Sequence, residues 1–560
     1  MRGKVILGAV VVAGVAIFAA TVGASLNDIS DLTAVPSANP KAAGYAPVSQ
    51  LSPELRQVAV AQGAVPVENP QGIVGWYGYE NDVPSPDNPA LPQFVPAKGS
   101  TAEAHKTEPD KNVYLVLKNQ HGADPHYNYG THFLYQGHEA GAAVAGGTQG
   151  LITRINLDAD SAHRVTLLAT QDTQGKPIAT IDGITWDPWA QRLLLTTENA
   201  NAPTYAATLS VPSQVEDVSG ALGRGGYEGI QDDSDGNIWI VEDIGGSNKT
   251  TATGGSTTAK RPNSFLYRYV PSSPGDLHNG KLQVLQVLNK AGAPVTFESQ
   301  EAVNAPDQVA LRTYGTSFDT KWITIHDTGV DGTAPFNANT LAKAKHGTPF
   351  KRPENGQFRP GSKFGEFFFA ETGDTNAAAT SVENGDPVTG AGGAGGWTSI
   401  FKLSQHGGSS STGKLSLFYE GNESVAGLDN VAFLSRDLIS FVEDAGDTLH
   451  GQRNGLDSGF VFDVTKNYSG GAQPLRWLAE GRDPSATLDS ANGGFGTNEG
   501  DNEITGIHVS DGDPTQAGLL GAKSPSLKPG GKWRWFYTQQ HGDNFTWEVT
   551  IADVSHGDDD

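Results

Sequence analysis

Short β-branched and aromatic runs, dense turn residues between them, and one acid-flanked hairpin that recurs along the chain predict an all-β protein, a six-bladed β-propeller with loop insertions. Among 560 residues, 70 are glycine and 32 are proline, a density that punctuates a chain into turns. Val113-Tyr114-Leu115-Val116-Leu117, Gly150-Leu151-Ile152-Thr153-Arg154-Ile155 and Arg192-Leu193-Leu194-Leu195-Thr196-Thr197 are typical strand-forming runs. The recurring unit opens on an acid, passes an apolar run and a Gly- or Asp-rich turn, and closes on a second acid after another β-type run. Its best copies begin at Glu228-Gly229-Ile230 and end at Glu242-Asp243, and begin at Asp429-Asn430-Val431 and end at Glu443-Asp444. Looser copies run from Asp182 to Glu198, from Arg352-Pro353-Glu354 to Glu371, and from Glu503 to Gln540-His541.

The N-terminus comes first along the chain. Arg2 and Lys4 precede an apolar run to about Ala24, read as a signal peptide or an N-terminal anchor over residues 1–24. Residues 25–74 read as a linker and N-terminal arm, with Ser52-Pro53-Glu54 able to start a short helix. The propeller domain is expected over residues 75–552, and an acidic tail over 553–560. The interval from acid 182 to acid 228 suits one blade of ~40–50 residues. The intervals from 354 to 429 and from 429 to 503 suit a blade plus an insertion. The long interval from 228 to 354 is expected to hide a further blade, with Glu298, Glu301 and the run Lys321–Asp327 as its parts. Gly/Ser/Thr/Ala-rich stretches near residues 250–259, 390–396 and 407–413 read as surface loops.

A net charge of −24 argues against nucleic acid or an anionic membrane as partner and favours cations. Membrane contact is expected through the N-terminal segment alone, and the expected location is secreted, periplasmic or at the cell surface. The absence of cysteine excludes disulfides, thiolate ligands and cysteine nucleophiles together. No Walker loop, Gly-x-Ser-x-Gly elbow or His-Glu-x-x-His occurs, which disfavours serine-hydrolase and zinc-protease chemistry.

Acids at the ends of the innermost strands would converge on one mouth of an axial channel, where they repel one another unless cations join them. Glu198, Glu228, Glu242, Asp243, Glu354, Asp429 and Glu503 are the expected metal ligands, and Glu371 and Glu443 add further carboxylates. Arg352, beside Glu354, is suited to clamp phosphate or carboxylate through its planar fork. His541 and His121 each follow a β-type run and could ligate metal or move a proton.

In order and spacing these motifs resemble the PhoX-type alkaline phosphatases of bacteria, from about Asn112 to Thr550. The marks are Leu195–Asn199, Glu242-Asp243 followed by Phe265–Val270, Thr348–Glu354, Leu428–Phe433, Glu503-Ile504-Thr505-Gly506 and Gln540-His541. The resemblance implies a secreted calcium- and iron-dependent phosphomonoesterase on a six-bladed propeller, acting on phosphate-ester small molecules. It implies a phosphate-holding role for Arg352, a metal-ligand role for Glu354, for Glu242 or Asp243, and for Asp429, with Arg352 and Glu354 as the catalytic pair. Thr197 stands where the family has an iron-ligating cysteine, and Asn199 where it has an acid. Calcium is therefore the expected metal and iron is doubtful. The alternative is a calcium-binding propeller without phosphatase activity, serving a structural or binding role at the cell surface.

Overall fold

The computed structural model describes residues 25–36, 50–63, 65–69, 77–78, 107–144, 147–250, 256–296, 305–375, 382–383, 386–387, 395–445, 449, 453, 456–480, 503–540 and 544–552. The expected signal or anchor segment, the acidic tail, Glu298, Glu301 and His541 lie outside them.

The architecture is all-β and propeller-like. Six first strands pack side by side in a closed ring: β1 (Pro109–Val116), β2 (Ile184–Asp187), β3 (Tyr227–Asp232), β4 (Pro353–Phe358), β5 (Leu428–Phe433) and β6 (Ile504–Ser510). Each begins an antiparallel meander running outward. β1 is followed by His132–Val144, Gly147–Asn156 and Val165–Ala169, and β2 by Arg192–Leu195, Tyr205–Ala207 and Val215–Asp217. β5 leads Leu438–Glu443, Ser458–Asp463 and Leu475–Ala479, while β6 leads Arg534–Gln539 and Thr546–Ile551.

The meanders of β3 and β4 are not separate sheets. Ser317–Asp327 pairs with Gly280–Val287 on one side and with Thr412–Glu420 on the other, giving one nine-stranded sheet with β3 and β4 at its two ends. The described strands thus form four separate sheets of four or five strands, this nine-stranded one and two small two-stranded pairs, in place of six separate blades. The bridging strand covers two outer edges that would otherwise leave unpaired N–H and C=O groups.

That bridge also corrects the expected hidden blade. The Lys321–Asp327 run belongs to an outer strand, away from the axis. The remaining inner strand comes from the N-terminal side instead, as β1.

Residues read as linker are built into the sheets. Leu55–Ala61 is the outer strand of the β6 sheet, in register from Leu55 opposite Ile551, and Gln50–Leu51 and Val67–Glu68 add to two others. Leu26, Leu32 and Leu55 are buried in a cluster with Trp477, Trp535 and Val549. Ser52-Pro53-Glu54 forms a turn into that strand and starts no helix. The outer edge of the last sheet is thereby paired across the chain's ends, which closes the ring.

Aromatic side chains fill the wedges between sheets. Trp239 meets Trp322 and Phe358 edge-on at 5.0 and 4.9 Å, and Trp477 meets Trp535 at 4.4 Å. Such pairs add about 0.5–1.5 kcal/mol each beyond their area. Helices are few and short, and no helix among the described residues is long and apolar enough to cross a membrane.

Candidate metal centre

All six inner strands begin at the same end of the ring, and each carries an acid there: Asp110, Asp182, Glu228, Glu354, Asp429 and Glu503. Five of the six strands have a register shift at this end, at Pro109/Asn112, Tyr227/Ile230, Pro353/Gly356, Leu428/Val431 and Thr505/His508. A bulge re-aims the side chain it carries and ends regular pairing. The glycine after the acid has a separate cause. A Cβ on Gly183 would come within 1.9 Å of the Glu228 carbonyl, and one on Gly229 within 2.9 Å of the Glu354 carbonyl. The strands converge too closely for a side chain at those points.

The second strands end at the same mouth. One carboxylate oxygen from each of Glu198, Glu228, Asp243 and Glu354 lies within 4.8 Å of the others, and Glu139, Asp182 and Glu198 form a second group on the same measure. Glu228, Asp243, Glu354 and Asp182 are buried, while Glu198 stands exposed at the rim. Asn355 ties neighbouring strands together, donating Nδ2 to Glu228 Oε1 at 2.8 Å and to Asp429 Oδ1 at 3.4 Å. Asn430 donates to Asp429 Oδ2 at 2.8 Å, and Thr505 Oγ1 donates to Asp110.

Burial, and then the neighbouring carboxylates, hold Glu228, Glu503, Asp110 and Asp182 well above the ordinary carboxylate range. Glu354 is likewise pushed up by burial and Asp243, against the pull of Arg352. Asp429 is raised by burial although Glu228, Asn430 and Lys111 oppose it. Acids in this condition hold protons until a cation replaces them.

Arg352 precedes β4 with a left-handed backbone, φ 53°, a conformation uncommon outside glycine that persists where its surroundings demand it. Its Nη2 is 2.8 Å from Asp243 Oδ2 and 3.3 Å from Glu354 Oε1, and its Nε donates to Asp243 Oδ2 at 3.0 Å. Nη1 is buried without a hydrogen-bond partner, and Glu354 Oε1 lacks a donor. Burial alone would lower the guanidinium, but Asp243 and Glu354 more than offset it.

Three expected carboxylates point elsewhere. Glu242 Oε2 accepts from Phe265 N, Tyr267 Oη and Asn339 Nδ2 at 3.1, 2.9 and 3.0 Å, inside its own sheet. Glu371 takes a fork from Arg312, and Glu443 one from Arg453 at 2.8 and 2.9 Å. Alternation explains this: in Glu242-Asp243 one side chain faces the sheet interior and the next faces the axis. Glu242 is thus a structural carboxyl and Asp243 the member at the mouth. His121 is also away from the site, exposed in the loop after β1, beyond the end opposite Asp110. Its carbonyl accepts from Arg154.

Asp110, Glu139, Lys111 and Asn355 were missed as site residues, and Asp182 was seen as a repeat acid without a ligand role. The signal for Asp110 was present: Asp110-Lys111-Asn112-Val113 opens a strand as Asp429-Asn430-Val431 does.

The donor set is carboxylate oxygen, which suits a hard cation such as calcium. Hard oxygen donors suit trivalent iron too, but the thiolate and the second acid that the resemblance implies for an iron pair are replaced by Thr197 and Asn199. Thr197 is buried and donates its Oγ1 to the Pro203 carbonyl at 3.2 Å, and Asn199 Oδ1 accepts from Asn201 N at 3.0 Å.

The family profile described as alkaline phosphatase PhoX matches residues 256–516. A solved structure, Pseudomonas fluorescens PhoX in complex with vanadate, a transition state analogue, superposes with TM-score 0.54 at 11% identity, covering 93% of this chain and 98% of that one. The match to the PhoX family model covers somewhat less than half of the chain. At that identity the superposition speaks for the fold alone. A Xanthomonas campestris gluconolactonase matches with TM-score 0.24 at 12% identity, over 72% of this chain and 90% of that one. Sqt1 of Chaetomium thermophilum matches with TM-score 0.27 at 12% identity, over 80% and 97%. Neither reaches the similarity of a shared fold. No curated protein matches this chain.

Proposed function

We propose that the protein is an exported, calcium-dependent phosphomonoesterase that hydrolyses phosphate esters at the carboxylate-lined mouth of a six-bladed propeller. The nine-stranded sheet is read as two blades zipped by Ser317–Asp327, one led by β3 and one by β4. Residues 1–24 are read as the signal or anchor, and the folded unit extends upstream of residue 75 to include Leu55–Ala61.

One observation carries the reading. Arg352 is held by Asp243 and Glu354 with Nη1 free, next to four carboxylates close enough to share a cation. Glu198, Glu228, Asp243 and Glu354 would hold one calcium, and Glu139, Asp182 and Glu198 a second. Bound calcium would neutralise phosphate oxygens and draw charge from the ester. Arg352 would orient the phosphoryl group through Nη1 and offset charge that grows in the transition state. Asp243 and Glu354 fix the guanidinium plane so that little reorganisation remains at the moment of reaction. Asn355 and Asn430 keep the carboxylates aimed at the mouth. The relative's vanadate complex supports a phosphoryl substrate class.

The second reading is a calcium-binding propeller without turnover. Thr197 favours it, because its hydroxyl is committed to Pro203 and no thiolate exists in the chain. Turnover of p-nitrophenyl phosphate with calcium, compared with chelator and with Arg352→Ala, decides between them. Calcium-dependent turnover lost in Arg352→Ala supports the phosphatase. Calcium binding without turnover leaves the second reading.

A further inference from the structure

Lys111 is a cation already present inside the carboxylate ring. It follows Asp110 on β1, is buried, and its Nζ has no hydrogen-bond partner. Burial lowers its ammonium, while Glu228, Asp429, Asp110 and Asp182, contributed from four different inner strands or their leading residues, favour the charged form. On its other side it lines a small axial cavity of about 70 Å³ with Asn112, Gln231, Gln357 and His508. The His508 imidazole Nε2 is also buried and unpartnered. Burial, with Lys111 beside it, pushes that imidazole down to about 3. His508 therefore stays neutral near pH 7, which leaves Lys111 as the basic group under the ring; burial lowers its ammonium, and the ring carboxylates oppose that shift.

An ammonium buried without compensating charge costs several kcal/mol. Here the compensation is the ring itself, reached without a direct ion pair. A divalent cation approaching the same axial space would meet this ammonium at low dielectric and be repelled.

We propose that Lys111 is a built-in cation of the ring: it takes the axial place beneath the carboxylates and keeps a metal ion out, so that metal binds at the mouth alone. This rests on the reading of the acids as a cation site. It makes Lys111 a positioning residue that sets the number of metal ions, with no contact to substrate.

The test is calcium content and affinity of purified Lys111→Met and Lys111→Arg beside the wild type, by elemental analysis and titration calorimetry. Lys111→Met should hold one calcium more per chain, or bind the last calcium at least tenfold more tightly, whereas Lys111→Arg should match the wild type. If Lys111→Met folds only with calcium present, the added ion is replacing the lost ammonium, which also supports the proposal. A folded Lys111→Met with wild-type content and affinity overturns it, as does a variant that calcium cannot rescue. Absence of calcium from the wild type would refute the cation-site reading instead. The Lys111 proposal would then stand or fall on whether Lys111→Met acquires a site.

Discussion

Arg352 and Asp243 are joined by a two-point contact across neighbouring meanders, Nη2 to Oδ2 at 2.8 Å and Nε to Oδ2 at 3.0 Å. The contact leaves the outer nitrogen of the fork free at the mouth of the ring. A flexible surface arginine could not present one nitrogen so reproducibly, because it would lose rotamer entropy on every binding event.

Arg352→Lys should therefore be nearly as damaging as Arg352→Ala, since lysine keeps the charge but not the fork. Both should lower kcat/KM for p-nitrophenyl phosphate by about 10²–10³-fold. Asp243→Asn should lose activity and calcium affinity together. Full activity in Arg352→Lys would show that charge alone is used.

Calcium binding should release protons. The ring carboxyls are raised by burial and by each other, so they hold protons below their folded values and a cation must displace them. Affinity is expected to rise with pH as those carboxyls give up their protons. Calorimetry in two buffers of different ionisation heat measures the proton count directly. Buffer-independent heat with a flat affinity would mean the acids are already ionised.

Glu242 should govern stability toward alkali without governing metal content. Burial raises its carboxyl to about 8, against donors from Asn339, Tyr267 and Phe265. A group that binds its proton more tightly when folded gives full stability below its unfolded value, and that stability is lost as pH rises through about 8. Glu242→Gln mimics the protonated form. In calcium-loaded protein, the Tm difference between variant and wild type should grow in the variant's favour from about pH 5 to 9. Parallel curves, or a lost calcium ion, would contradict this assignment.

The N-terminal strand should matter as much as any internal one. Leu55 is buried with Trp535 and Val549 and opens the strand paired to Thr546–Ile551. Leu55→Ala should cost about 2–5 kcal/mol, read from the urea midpoint. An unchanged midpoint would mean the strand is dispensable to closure.

Much of the ring was readable as sequence. Acid-Gly-Ile at 182–184 and 228–230, and Asp429-Asn430-Val431, marked inner strands because convergence at the axis demands a small residue or a bulge beside each acid. Position β1 was overlooked because Asp110-Lys111 reads as ordinary surface charge. Lys321–Asp327 was misplaced because a bridging outer strand and an inner strand share the same apolar, β-branched composition. The segment near residues 50–68 looked like a linker since its short strands bury one edge apiece and carry little periodicity.

The sequence by itself determined the class of structure, the recurrence of acids at strand ends, the absence of thiolate chemistry and a resemblance to the PhoX-type phosphatases. Tertiary structure decided which acid of each pair serves the site. Glu242 and Asp243 are adjacent and chemically alike, yet opposite faces of one strand send the first to Tyr267 and the second to Arg352. It also decided that Lys111 stands inside the ring and that Thr197 turns away from it. Both outcomes depend on which side of a strand a residue occupies once six strands have met around one axis. Residue type and spacing do not record that until a bulge has set the register.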